Sequence, residues 1–70
     1  MYRVMVKHAG SNSDAHAVEH CQVGSRASAN AIVRALGAEK MPAYELPPKF
    51  ARNPRYRSID RYTLVYCEEI

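Results

Sequence analysis

The chain has 70 residues, 47% of them hydrophobic and 24% charged, with a formal net charge of +3. This composition favours one folded domain over a disordered peptide. A domain of this size buries only about 60% of its unfolded surface, so we expect a monomer or a homodimer in which a second copy supports the small core. Charged residues near the start argue against a secretory signal, and no apolar run approaches the roughly 18 residues of a membrane helix. We therefore expect a cytoplasmic protein that does not enter a membrane.

The first part of the chain is predicted to form a β-hairpin. Residues Tyr2 to Lys7 alternate in the manner of a half-buried strand, with Tyr2, Val4 and Val6 on one face. A run of five turn-forming residues follows, and Ala15 to Val23 then forms the second predicted strand. Because the joining segment is short, we expect the two strands to pair antiparallel.

A helix is predicted from Arg26 to Leu36. Ser25 is a suitable N-cap, since its hydroxyl can accept a hydrogen bond from the first turn. Gly37 stands where a left-handed residue often ends a helix. The predicted buried stripe consists of Ser28, Ala29, Ala31, Ile32, Ala35 and Leu36. The predicted opposite face carries Arg26, Asn30 and Arg34.

The second half of the chain is predicted to complete one sheet. Met41 to Leu46 is predicted to form a third strand, and Pro42 would either confine it to an edge or delay its start. Pro47 to Arg61 has no clean period and is interpreted as a long ordered loop. Arg61 to Glu68 is apolar on both faces, as is typical of a central strand. The order β-β-α-β-β predicts an α+β fold of two layers: an antiparallel β-sheet with one α-helix across a face.

Histidines and cysteines are the first candidates for chemistry. His8, His16 and His20 lie in the predicted hairpin and would meet at a metal only in one strand register. None of the usual zinc-ligand spacings is present, so polar residues on a solvated face are the simpler interpretation. Cys21 follows His20 and points to the opposite side of a strand, which is wrong for proton transfer between them. We expect Cys21 and Cys67 to be buried thiols, with a disulfide as the alternative.

The other motifs of enzymes are missing from the sequence. The glycines are isolated, so there is no glycine-rich phosphate loop, and no serine stands in a nucleophile elbow. The paired acids Glu68 and Glu69 are expected to be solvated at the end of the chain. The sequence therefore predicts a protein that is not an enzyme and that has no cofactor and no metal.

The positive charge is concentrated in Pro47 to Arg61. This segment carries a net charge of +4, while the rest of the chain carries −1. Arginine side chains fit phosphates or carboxylates, aromatic rings can stack on bases or fill a pocket, and prolines limit the entropy lost on binding. The alternative is a solvated basic loop whose aromatic rings only attach it to the core. The predicted contact residues are Lys49, Phe50, Arg52, Arg55, Tyr56, Arg57 and Arg61.

Arg26 and Arg34 on the predicted helix would extend this basic surface if they share its side, which the sequence leaves open. The partner is also left open. A host protein or nucleoprotein complex and a directly bound DNA or RNA fit the same residues.

The order and length of the elements resemble those of small phage-encoded anti-CRISPR proteins. The resemblance rests on a strand Arg3–Val6, a strand ending at Val23-Gly24, a helix opened by Ser25-Arg26-Ala27-Ser28, and a closing strand Tyr62–Cys67. It implies an inhibitor that acts by occupying a surface, with a type I CRISPR surveillance complex or its nuclease as the partner. No functional residue is carried over from that family.

Overall fold

Four strands and one helix make up the described part of the chain. The structure is a computed structural model that describes residues 1–8, 14–37, 55–60 and 62–70. A short 3₁₀ turn, Asp14–His16, precedes the second strand. The elements are β1 (Tyr2–His8), β2 (Val18–Val23), α1 (Arg26–Leu36), β3 (Arg57–Asp60) and β4 (Thr63–Glu69).

The four strands form one antiparallel sheet in the order β2-β1-β4-β3. The first strand therefore pairs with both β2 and β4, and Val4 lies opposite Cys21 on one side and Cys67 on the other. The α+β fold and the antiparallel hairpin are confirmed. The last strand lies between β1 and β3, which also confirms that it is central.

Three predicted boundaries change in the structure. The second strand begins at Val18 and not at Ala15, because the 3₁₀ turn occupies the preceding residues. The predicted loop contains β3, a strand of only four residues that pairs with β4. Such a strand is too short for its own periodicity to reveal it, and the pairing with β4 defines it. The last strand runs from Thr63 to Glu69. The predicted third strand, Met41 to Leu46, lies outside the described residues, as does most of the predicted turn after β1.

The helix has the bounds that its local signals predict. Ser25 has extended backbone angles, and its hydroxyl accepts a hydrogen bond from the Ser28 amide at 3.2 Å. This bond satisfies one of the amides that the first turn leaves without a partner. The N-cap prediction is therefore confirmed.

The helix face that meets the sheet differs from the predicted stripe. Ala29 and Val33 are buried, and Ile32 and Leu36 pack beside them. The predicted members Ser28, Ala31 and Ala35 are exposed. The helix is rotated about its axis relative to the prediction, so that Val33 faces the sheet. This rotation depends on how the helix packs across the strands. Asn30, predicted for the far face, is half-buried.

Buried side chains lie on both faces of the sheet, in β1, β3 and β4. Val4, Ala29, Val33 and Val65 form the core between α1 and the sheet. The side chains on the opposite face alternate with these and are also shielded from solvent, although no described helix or strand packs against them. They are Met5, Lys7, Ser58, Leu64 and Tyr66. Burial on both faces explains why β4 is apolar along both of its sides.

Gly37 ends the helix for a reason other than the predicted one. Its φ of −96° and ψ of 59° are not left-handed, so the prediction of a left-handed C-terminal residue is wrong. A Cβ at this position would lie 2.5 Å from the Arg57 Cβ and 2.8 Å from the Val65 Cγ1. Glycine is needed because the end of α1 approaches β3 and β4 too closely for a side chain.

The turn between β3 and β4 contains a carboxylate with a lowered pKa. The Tyr62 amide donates to the Asp60 Oδ1 at 2.8 Å, and this bond is the main reason why the pKa of Asp60 lies below its ordinary value of 3.8. A hydrogen bond from the Thr63 side chain acts in the same direction. The bonds favour the charged form of the carboxyl group.

Because the folded state has the lower pKa, the stability contributed by Asp60 is present above pH 3.8 and is lost as the pH falls below it. We expect Asp60→Asn to lower the urea midpoint at pH 7 and to have a smaller effect at pH 2 to 3. Urea unfolding of both proteins across this range measures the difference. An equal difference at every pH would contradict a role for the charged carboxylate.

Candidate binding groove

The structure describes three of the predicted contact residues. Arg55 and Tyr56 lead into β3, and Arg57 is its first residue. The other predicted contacts lie outside the described residues, and they are Lys49, Phe50, Arg52 and Arg61.

Two adjoining hollows lie between α1 and the end of β4. The first, which we call the arginine groove, has a volume of about 340 Å³ and is lined by Asn30, Val33, Arg34, Arg55, Arg57 and Cys67. The second, which we call the mixed hollow, has a volume of about 320 Å³. It shares Asn30, Arg55 and Cys67 with the arginine groove and adds Tyr2, Arg26, Glu68 and Glu69. The shared residues make the two hollows one cleft along the helix.

The position of Arg57 is set by the end of the helix. Its Nε donates to the Gly37 carbonyl oxygen at 2.5 Å, which ties the first residue of β3 to the last turn of α1. The bond satisfies a carbonyl at a helix end. No described residue accepts a hydrogen bond from the terminal guanidinium nitrogens, so they remain available to a ligand in the groove.

Arg55 lies over two tyrosine rings. Its guanidinium carbon is 4.6 Å from the centre of the Tyr66 ring and 5.4 Å from that of Tyr56. The two rings meet edge to face, with their centres 5.1 Å apart. An Arg55 Nη2 also lies 3.5 Å from the Glu68 Oε2, a long and partly exposed ion pair that contributes little to stability. The rings therefore contribute to the orientation of the guanidinium.

The helix arginines lie on the same side of the fold as the described part of the basic segment. Arg34 lines the arginine groove together with Arg55 and Arg57, and Arg26 lines the mixed hollow. The guanidinium carbon of Arg26 lies 5.6 Å from the centre of the Tyr2 ring. The signal in the sequence was the spacing of four between Arg26, Asn30 and Arg34, which places them along one side of the helix.

Charge is distributed unevenly along the cleft. The described residues that line the arginine groove include three arginines and no acidic residue. In the mixed hollow, Arg26 and Arg55 are balanced by Glu68 and Glu69. The Glu68 carboxylate is shared, since its Oε1 also accepts from the Arg3 Nε at 2.7 Å. The cleft is therefore positive at one end and close to neutral at the other.

The cysteines are thiols. Both are half-buried, and the Cys67 thiol donates to the Asn30 Oδ1 at 3.3 Å. Cys21 and Cys67 both lie opposite Val4 but on different sides of β1. Their Cα atoms are thus two strand spacings apart, about 10 Å, which is too far for a disulfide. The expectation of free thiols is confirmed, although their burial is only partial.

The histidines of the predicted hairpin are exposed. His8 ends β1, His16 lies in the 3₁₀ turn and His20 lies in β2. Among the described residues, no group of three or more histidine, cysteine and acidic side chains is placed to hold a metal ion.

Comparison of the chain with protein-family models, with curated proteins and with solved structures gave no match. Within residues 1–8, 14–37, 55–60 and 62–70, no helix is long and apolar enough to cross a membrane.

Proposed function

We propose that this chain is a non-catalytic binding protein that presents the arginine groove to an anionic surface of a larger host protein or nucleoprotein complex. The observation that carries the proposal is the convergence of Arg34, Arg55 and Arg57 on one groove, whose described lining residues include no acid. These residues come from two separate parts of the chain, so the fold brings the charges together.

The geometry favours recognition of an anion by hydrogen bonds as well as by charge. A guanidinium presents several donors in a planar fork that matches a carboxylate or a phosphate. Arg57 is held by the Gly37 carbonyl and Arg55 by the Tyr66 ring, so these side chains lose less freedom when a ligand binds. Arg34 is exposed, and the described part of the chain offers it no ion-pair partner.

The identity of the partner comes from the resemblance in the sequence. An inhibitor encoded by a phage would occupy a surface of a type I CRISPR surveillance complex or its nuclease. Both are therefore the first partners to test.

Direct binding of DNA or RNA is the second candidate function, because the three arginines that line the groove also suit phosphates. Three neutralised phosphates on a single strand would give a slope of about −2 in a plot of log affinity against log salt. Absence of any binding to nucleic acid at low salt would dismiss this candidate.

Arg34→Gln is expected to reduce capture of the partner by about tenfold or more, because hydrogen bonds to a charged group typically contribute about 1.5–3 kcal/mol. The measurement is binding to the immobilised surveillance complex and to its nuclease, by interferometry.

Val18→Glu is the matched control. It changes the net charge by the same amount, and Val18 is 69% exposed on β2, at the far edge of the sheet from β3. Capture by this variant should equal that of the wild type. Equal capture by wild type and Arg34→Gln, with both variants folded, would overturn the proposed function.

A further inference from the structure

We infer that the cleft recognises a protein segment in which an acidic residue is followed, a few positions away, by a basic one. The inference rests on the proposed function and names the chemistry of the partner. It follows from the charge difference between the two hollows, which a uniform polyanion does not match.

The acidic residue of the partner fits the arginine groove. Its carboxylate would meet Arg34, Arg55 and Arg57, and no described side chain lining that groove carries a negative charge. Asn30 adds a neutral amide on the helix side. A volume of about 340 Å³ suits one or two side chains.

The other end of the cleft disfavours a second anion. Glu68 and Glu69 both line the mixed hollow, and Glu69 is exposed. Glu68 already accepts from Arg3 and lies near Arg55, so its charge is largely balanced. Glu69 accepts from the Tyr2 hydroxyl at 3.3 Å, and within the described residues it forms no ion pair, although Arg26 lines the same hollow. A cation of the partner fits beside Glu69.

The length of the cleft sets the spacing of the two charges. Arg26 and Arg34 are eight positions apart on the helix, which corresponds to about 12 Å. Along β4, Val65, which pairs with Arg57, and Glu69 are four positions apart, which corresponds to about 13 Å. An extended peptide covers this distance in about four residues. The acidic and basic residues of the partner are therefore about four positions apart.

A nucleic-acid strand matches the uneven charge of the cleft less well than a mixed-charge peptide does. Its charges recur along the whole backbone, so a strand that follows the cleft from the arginine groove places a phosphate near Glu69. Like charges in contact are repulsive and exclude wrong partners. The observations therefore favour a protein segment over DNA or RNA.

The test compares three probes of six residues or nucleotides each by NMR titration of the whole chain. The first is a peptide with two glutamates, two serines and two lysines in that order. The second is a peptide of six glutamates, and the third is a thymidine hexanucleotide. We expect the mixed-charge peptide to bind most tightly and to shift the Nε–H signals of Arg34 and Arg57.

Glu69→Gln tests the contribution of the mixed hollow separately from that of the arginine groove. The glutamine keeps an oxygen that can accept from the Tyr2 hydroxyl. We expect it to weaken the mixed-charge peptide by about two- to fivefold, the range of an exposed ion pair, and to strengthen the hexanucleotide. Glu19→Gln is the control, since Glu19 is exposed on β2 and the charge change is the same. It should leave the affinities for all three probes as in the wild type.

Two results would overturn the inference. If the hexanucleotide or the glutamate peptide binds at least as tightly as the mixed-charge peptide and Arg34→Gln weakens it, the groove remains the contact surface but its ligand class is wrong. If no probe causes an Arg34-dependent shift, the ligand class is again wrong. The proposed function is tested separately: it fails if Arg34→Gln binds the surveillance complex or its nuclease as well as the wild type does.

Discussion

Gly37→Ala is expected to lower the free energy of unfolding by about 3 kcal/mol, at the upper end of the usual cost of overpacking. The backbone angles of Gly37 suit other residues, so the cost is steric. The new Cβ would lie 2.5 Å from the Arg57 Cβ and 2.8 Å from the Val65 Cγ1. Neither atom is the end of a flexible side chain, and Val65 is fully buried. The end of the helix must therefore move away from the sheet.

The same variant is expected to weaken the arginine groove. The Nε of Arg57 donates to the Gly37 carbonyl, so displacement of the helix end also displaces the guanidinium. Urea unfolding measures the first effect. Binding to the proposed partner measures the second, under conditions in which the variant is folded.

Gly24→Ala is the matched control for Gly37→Ala. A Cβ at Gly24 meets no atom within 4 Å, so we expect a change of no more than about 0.5 kcal/mol. A similar loss of stability in both variants would show that chain flexibility, and not the close approach of α1 to β3 and β4, explains the effect at Gly37.

Tyr66→Ala is expected to cost about 3–5 kcal/mol, as is usual when a large buried ring is truncated. Tyr66 is 1% exposed, and its ring packs against Tyr56 and lies beneath Arg55. A domain of 70 residues has a total stability of roughly 4–10 kcal/mol. Much of the variant should therefore be unfolded at 37 °C, which a thermal melt followed by circular dichroism will show.

Tyr62→Ala provides the comparison for Tyr66→Ala. Tyr62 is 53% exposed, so its truncation should change the free energy of unfolding by about 0.5 kcal/mol or less.

Tyr66→Leu keeps much of the buried volume and removes the ring below Arg55. We expect it to be more stable than Tyr66→Ala but to bind the proposed anionic partner less well than the wild type. Equal affinity would show that the ring does not position the guanidinium.

Features with local causes were predictable from the sequence. The bounds of α1 follow from the Ser25 cap, whose hydrogen bond involves residues three positions apart. The first strand follows from an alternation with period two, and the central position of β4 follows from apolar residues on both of its faces. These signals lie within single elements and do not depend on the rest of the chain.

Features that depend on pairing or on close approach were not predictable. The strand β3 has four residues, and its pairing with β4 defines it. The local pattern at Gly37 indicated a left-handed helix end, whereas the tertiary packing requires glycine because Arg57 and Val65 lie against it. The direction in which the helix crosses the sheet makes Val33 part of the core.

The candidate site divides in the same way. The order of residues in the sequence showed that the positive charge is concentrated before the last strand. The spacing of Arg26, Asn30 and Arg34 showed that they share one side of the helix. Only the tertiary structure decided that Arg34 faces Arg55 and Arg57, and that Glu69 lies at the other end of the same cleft. The reason is physical: net charge and helical period are properties of the chain, whereas the convergence of distant side chains depends on how the helix packs against the sheet.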